Sequence, residues 1–345
     1  MDRCGASGPD GATAGARLAA IVTTASYVLR LDPFAPEYDA AIQVVEAEDP
    51  VADVDSTVES PTWQAVRPLP APVPERVFFV DGVRRIEQRL RVEADAATLF
   101  ALLGSFGVGA TRLHRRSARV LDESVGRVLV VGGGELLPAL EVPVPRGRTT
   151  LRFTPRVVPE NTPMAALGGL QEAMREAEAR LGQELVGGEA DLVFLDGPLS
   201  YLTSAVPVLG FVKRLMGTYL DAEESGLLPR LEVGERTPLF LIKDRVPRYS
   251  WYLRLGRGRP IESALTGIVR LETRAELAVA DVRRLADASC RVLPRLASDA
   301  AHDPRAPHNL HPIGGLEQRL RRLLGDPLLV RRAIEAHLHT QLAVL

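Results

Sequence analysis

Two short apolar runs, each closed by Asp-Gly and separated by one long amphipathic stretch, constrain this chain more than any other feature. RVFFVDG at 76–82 and DLVFLDG at 191–197 are rich in β-branched and aromatic residues, the mark of buried strands. Between them, Leu167, Leu170, Met174, Ala177, Leu181 and Leu185 recur at helical spacing, and Gly187-Gly188 ends the pattern, which predicts a helix over 163–186. Both Asp81 and Asp196 then fall at strand ends. If the strands are neighbours, two carboxylates share one sheet edge, where like charges are costly unless a cation lies between them. Such a pair suits Mg²⁺ or Mn²⁺, held by hard oxygen ligands. For either site alone, Asp-Gly after a strand also reads as an ordinary turn.

A third carboxylate follows from geometry. A strand over 191–196 rises about 3.3 Å per residue, and an antiparallel helix descends about 1.5 Å per residue. The helix position level with Asp196 is then near 173–175, within a turn of Glu176 and Glu178. On a helical wheel at ~100° per residue, Glu178 lies about 50° from the centre of the apolar stripe and Glu176 about 150° away, so Glu178 faces the sheet. It reads equally as a metal ligand or as an edge residue paired with Arg175 or Arg180. Three acids around divalent metal are what phosphodiester hydrolysis uses.

The remaining elements predict a mixed sheet flanked by helices. Ile86–Val92 alternates and would form a hairpin with 76–82. Further strands are predicted at 117–122, 126–132, 149–154, 238–244, 249–255 and 263–272, and helices at 13–31, 277–297, 313–324 and 327–342. Gly132 to Gly134 lack a following Gly-Lys-Ser/Thr and form no phosphate loop. Residues 1–12 read as a frayed terminus. The stretch from Asp32 to Pro74, rich in Pro and acids, reads as an extended segment or solvated linker, so the main fold is expected over 76–345.

Charge divides the chain the same way. Residues 1–75 hold 12 acidic and 4 basic side chains, leaving an excess of +6 on 76–345 within a net charge of −2, which permits a polyanionic partner without requiring one. Cys4 and Cys290 are too few for a disulfide framework or a thiolate zinc cage and fit a reducing cytoplasm. No apolar run reaches the ~18 residues of a membrane span, and no secretory leader is evident. The chain has 40 Arg and only 2 Lys, so Lys213 and Lys243 stand out as compact point charges suited to phosphate, with a snorkelling surface residue or a pair with Asp244 as the plainer readings. Tyr249 and Trp251 share one strand face, where they would stack on unpaired bases or pack a core. Arg319 and Arg322, with Arg321, Arg331 and Arg332, make a basic helical region that could follow a DNA backbone or simply be solvated. Five of the six histidines, His302, His308, His311, His337 and His339, lie near the end; all but His311 read as solvent residues.

The motifs VFFVDGVRR, MREAEARL, DLVFLDGPLSY, VLGFVKRL, FLIKD and PHNLHPIGGLE, in this order over residues 76 to 320, resemble the NurA nuclease family. The resemblance implies an RNase H-like fold with C-terminal helices and a nuclease domain over 76–345, preceded by the N-terminal helix and acidic Pro-rich extension read from composition over 1–75. It carries the family's metal-binding residues onto Asp81, Glu178 and Asp196, and its C-terminal site residue onto Glu317 or the nearby His311. Val83 and Pro198-Leu199 depart from the family pattern without removing a carboxylate. Implied further are Mn²⁺ or Mg²⁺, 5′ to 3′ exonuclease and single-strand endonuclease action on DNA in end resection and double-strand break repair, a homodimer, and a HerA-like ATPase partner. Two readings compete: a catalytically inactive module of the same fold serving as a platform for a motor ATPase, and an RNase H-like domain acting on nucleotides or RNA.

Overall fold

The computed structural model describes residues 27–32, 53–94, 97–114, 117–144, 147, 149–188, 190–213, 219–301 and 303–342. In chain order come β1 (Tyr27–Leu31), β2 (Asp53–Asp55), β3 (Arg76–Ala94), β4 (Ala97–His114), β5 (Ser117–Val131), β6 (Leu140–Pro143), β7 (Thr150–Val157) and α1 (Pro163–Gly187). There follow β8 (Leu192–Asp196), β9 (Val208–Val212), a short α2 (Ala222–Ser225), β10 (Phe240–Lys243), β11 (Arg248–Arg254), β12 (Ile268–Arg274), α3 (Val279–Val292), α4 (His311–Leu323) and α5 (Pro327–Leu342). The strands form one mixed sheet in the order β2-β10-β11-β12-β9-β8-β3-β4-β5-β7-β6, with β1 added along β3. Within it β3, β4 and β5 are an antiparallel meander, and β8 and β9 run parallel to β3 on its other side. The result is a mixed α/β architecture, a large mixed sheet flanked by helices.

Alternation sends successive residues of the central strands to opposite layers. Phe78, Val80, Val193 and Leu195 pack under α1 with Met174, Ala179 and Leu185. Val77, Phe79, Phe194, Leu209, Phe211, Trp251 and Leu271 pack on the other face against Val282 and Ala286 of α3 and Ile313 of α4. A third core around Leu90, Leu103, Leu129 and Phe153 is closed by Ile334 and Leu338 of α5. Helix α1 starts where the sequence indicates: the Thr162 hydroxyl accepts the Ala165 N–H and Pro163 opens the first turn.

Several expectations change. Residues 76–82 and 86–92 are not a hairpin but one strand, β3, with a bulge between Ile86 and Gln88, and its hairpin partner is β4. The two Asp-Gly pairs therefore differ. Gly197 has φ +115°, a turn only glycine adopts freely. Gly82 stays in the strand and is needed for space, because a Cβ there would stand 2.5 Å from Glu178 Oε1 and 2.8 Å from Met174 Cγ. The predicted strands at 117–122 and 126–132 are likewise one strand, β5. Strand β4 escapes the pattern because its Ala-, Leu- and Gly-rich sequence is covered on both faces and does not alternate.

Where described, the expected helix 13–31 is instead β1: Leu29 is buried and the strand pairs along Leu90–Ala94, so an open sheet edge overrides local preference. Residues 13–26 lie outside the described residues, as do 1–12, Cys4 among them, and 33–52. Nor is the acidic segment simply solvated from residue 53 on. β2 pairs with β10, Val66 bridges Arg236, and the Glu59 carboxylate is buried against the Arg236 guanidinium at 2.7 and 2.8 Å.

Candidate metal centre

The parallel register of β3 and β8 pairs Val80 with Leu195, so Asp81 and Asp196 emerge level with each other. By alternation both point to the face carrying Phe79 and Phe194, where α4 brings Glu317. One carboxylate oxygen from each of Asp81, Asp196 and Glu317 lies within 4.8 Å of the others. Asp81 is 4% exposed, and its Oδ2 is buried with no hydrogen-bond partner. Burial and then Asp196 push the Asp81 carboxyl well above the usual carboxylate range; Lys213 opposes this, and Glu178 and Glu317 add to it.

The cations are placed unequally. Lys213, directly after β9, donates from Nζ to Asp196 Oδ2 at 2.7 Å and to Asn309 Oδ1 at 3.2 Å. Glu317 is flanked by Arg321, at 3.0 Å, and Arg305, at 3.5 Å, both more than half exposed. Among the described residues, Asp81 makes no ion pair of its own. Three hard oxygen donors converging on one point, one carrying an orphaned buried oxygen, fit a divalent cation of the Mg²⁺ or Mn²⁺ kind.

Glu178 stands outside this group of three. It is buried on α1, its Oε2 accepts from Arg175 at 2.8 Å, and Arg175 also donates to the Asp196 carbonyl. A small cleft opens beside these residues, walled by Pro198, Leu199 and Tyr201. Of the two C-terminal candidates, Glu317 is the one in the cluster. His311 opens α4 exposed to solvent, and its N–H is held by the Leu296 carbonyl.

Of the residues assigned to DNA, only Lys213 is at the carboxylates. Lys243 sits four strands away on β10, 3.6 and 3.9 Å from Asp53 and Asp55, while Asp244 pairs with Arg248. Trp251 is fully buried with its Nε1 donating to Ser289, so it offers no face for base stacking, and the partly buried Tyr249 packs against the same core. Arg319 is paired with Glu123, and Arg322 is exposed on the same helix. His308 accepts the Gly267 N–H and serves the fold; His302 lies outside the described residues. Cys290 is buried, its thiol pushed up to about 12 by that burial. Asn309, 2% exposed beside Lys213, was not foreseen: nothing in PHNLHP distinguishes a buried Asn from a turn residue.

Among the described residues no helix is long and apolar enough to cross a membrane. No family model matches the sequence, and no curated protein matches it. Among solved structures, the chain is similar to the NurA nuclease from Sulfolobus solfataricus, with 11% identity and a TM-score of 0.45 over 81% of this chain and 88% of that one. It is also similar to endonuclease V from Bacillus subtilis, with 11% identity and a TM-score of 0.32 over 72% of this chain and 82% of that one.

Proposed function

We propose that this protein is a divalent-metal-dependent DNA nuclease centred on Asp81, Asp196 and Glu317. The observation that carries the reading is the convergence of these three carboxylates, with Asp81 buried and, among the described residues, without an ion pair of its own. Mn²⁺ or Mg²⁺, when bound, would supply activation of water and stabilisation of the leaving oxygen. The chain's own residues do the rest. Asp81, Asp196 and Glu317 hold the ion, the Lys213 ammonium meets the phosphate, and the half-exposed Arg305 and Arg321 draw the nucleic-acid backbone toward Glu317. Burial of Asp81 in a water-poor site strengthens each of these interactions.

The finer parts of the proposal rest on the family resemblance of the motifs: 5′ to 3′ exonuclease and single-strand endonuclease action, a role in end resection and break repair, a homodimer, a HerA-like ATPase partner and a cytoplasmic setting. The test is degradation of end-labelled single- and double-stranded DNA with Mn²⁺, Mg²⁺ or EDTA, comparing wild type with Asp81→Ala and Asp196→Ala. Metal-dependent cleavage lost in both variants is the expected result. Wild-type protein that cuts nothing with either metal, while still binding DNA or an ATPase, would replace the nuclease with an inactive platform.

A further inference from the structure

The carboxylate cluster carries a cation of its own. Lys213 and Asp196 are each 18% exposed at the side chain, and the ammonium sits 2.7 Å from Asp196 Oδ2. A second seat adjoins it. Asn309 Nδ2 donates to Asp303 Oδ2 at 2.5 Å, which turns the amide so that Oδ1 faces Lys213 Nζ at 3.2 Å. This orientation is set by chemistry, since a carboxylate accepts only and an ammonium donates only. In a chain of 40 Arg and 2 Lys, a lysine at this point is chemically distinct. A guanidinium fork would clamp a carboxylate through two bonds, whereas an ammonium is a point charge with rotatable donors on a flexible stem and can change partners.

We infer that Lys213 is a resident counter-cation of the Asp81–Asp196–Glu317 cluster, which competes with divalent metal for Asp196 and is kept beside the site by Asn309 when it yields. The inference rests on the metal reading above and concerns its regulation. A divalent ion among the three carboxylates and an ammonium on one of the same oxygens repel strongly at a few ångströms in a half-buried site. Asn309 offers a neutral oxygen that removes Lys213 from the contested carboxylate without sending it into solvent. Asp303, on the far side of Asn309, is the positioning residue for that seat. The metal-free cluster is thereby partly neutralised. The metal-loaded one keeps a positive charge next to where a phosphate would arrive.

The test is Mn²⁺ binding alone, by titration calorimetry on metal-stripped full-length protein. Lys213→Met and Lys213→Gln are expected to bind Mn²⁺ at least about tenfold more tightly than wild type, because a competing unit charge is gone. Asn309→Ala is expected to bind it severalfold more weakly. A second measurement needs no variant at the site. Protein labelled at lysine ¹³Cε gives only two lysine signals, assigned with Lys243→Arg, and Mg²⁺ should shift the Lys213 signal in step with binding. Unchanged or weaker Mn²⁺ binding in both Lys213 variants, or a Lys213 signal that stays put while Mg²⁺ binds, overturns the inference. If wild type binds Mn²⁺ and Asp81→Asn does not, while Lys213→Met matches wild type, the inference alone fails and the metal centre stands. If neither wild type nor the Lys213 variants bind Mn²⁺, both fall.

Discussion

Two buried clusters built from the same residue types lie in different halves of the sheet and end in opposite electrostatic states. Around Arg236, Glu59 accepts a two-pronged bond at 2.7 and 2.8 Å, Asp287 accepts at 2.8 and 3.0 Å, and the Leu239 N–H and Arg283 complete the shell of Glu59. Burial is the largest single influence and would raise the Glu59 carboxyl, but the Arg236 bonds and charge, the Leu239 N–H and Arg283 together outweigh it and hold the group below the usual range. Around Asp81, burial acts without a paired cation, Asp196 and Glu317 add like charge, and the carboxyl rises. Burial raises both acids, and the neighbours decide whether that rise stands or is reversed. Balanced charge at Arg236 ties the acidic N-terminal segment to the body. Unbalanced charge at Asp81 is what the proposed metal centre rests on, at a cost to the fold.

The sharpest way to break this contrast is to remove one acid from each cluster. Asp196→Ala should lower metal-dependent cleavage by about a thousandfold or more, measured on end-labelled DNA, with little loss of thermal stability. Glu59→Gln should do the reverse, costing about 3–5 kcal/mol of stability by chemical denaturation because Arg236 is left buried and under-neutralised. Next in size, Mn²⁺ at a hundredfold excess over its Kd should stabilise wild type by about 2.7 kcal/mol and the Asp81→Ala variant by much less, read as a shift in melting temperature.

A smaller effect separates the clusters by pH. The Asp81 pKa is raised in the folded state, so its contribution is intact below the unfolded carboxylate pKa of about 4 and is lost as pH rises toward the folded value. In EDTA, Asp81→Asn should therefore match wild type in acid and gain on it as pH rises toward neutrality, read by chemical denaturation at several pH values. The lowered Glu59 runs the other way: its contribution is present above the unfolded pKa and is lost as pH falls through the folded one, so Glu59→Gln should approach wild type in acid. Smallest of all, Lys243→Gln should change stability by no more than about 0.5 kcal/mol and leave cleavage unaltered, since its contacts with Asp53 and Asp55 are long and exposed.

Much of the framework is written locally. The apolar runs ending at Asp81 and Asp196, the helix between them with Thr162 at its start, and the three C-terminal helices follow from periodicity and caps over a few residues. Tyr249 and Trp251 do share a strand face, as alternation demands, yet only the placement of α3 makes that face the core and the indole a donor to Ser289. The hairpin assigned at Asp81-Gly82 is a strand for a similar reason. Glycine there answers to the approach of Glu178 and Met174 from α1, and no local rule distinguishes that need from a turn.

By itself, then, the sequence determined the apolar strands that end at Asp81 and Asp196, the helix between them and the C-terminal helices. Tertiary structure alone decided which acids meet. The β3–β8 register levels Asp81 with Asp196, α4 supplies Glu317 while Glu178 turns to Arg175, Lys213 arrives from β9, and Glu59 is drawn from a Pro-rich segment into a buried pair. The reason is physical: backbone conformation responds to neighbours a few residues away, whereas the state of a carboxylate depends on charges within a few ångströms in space.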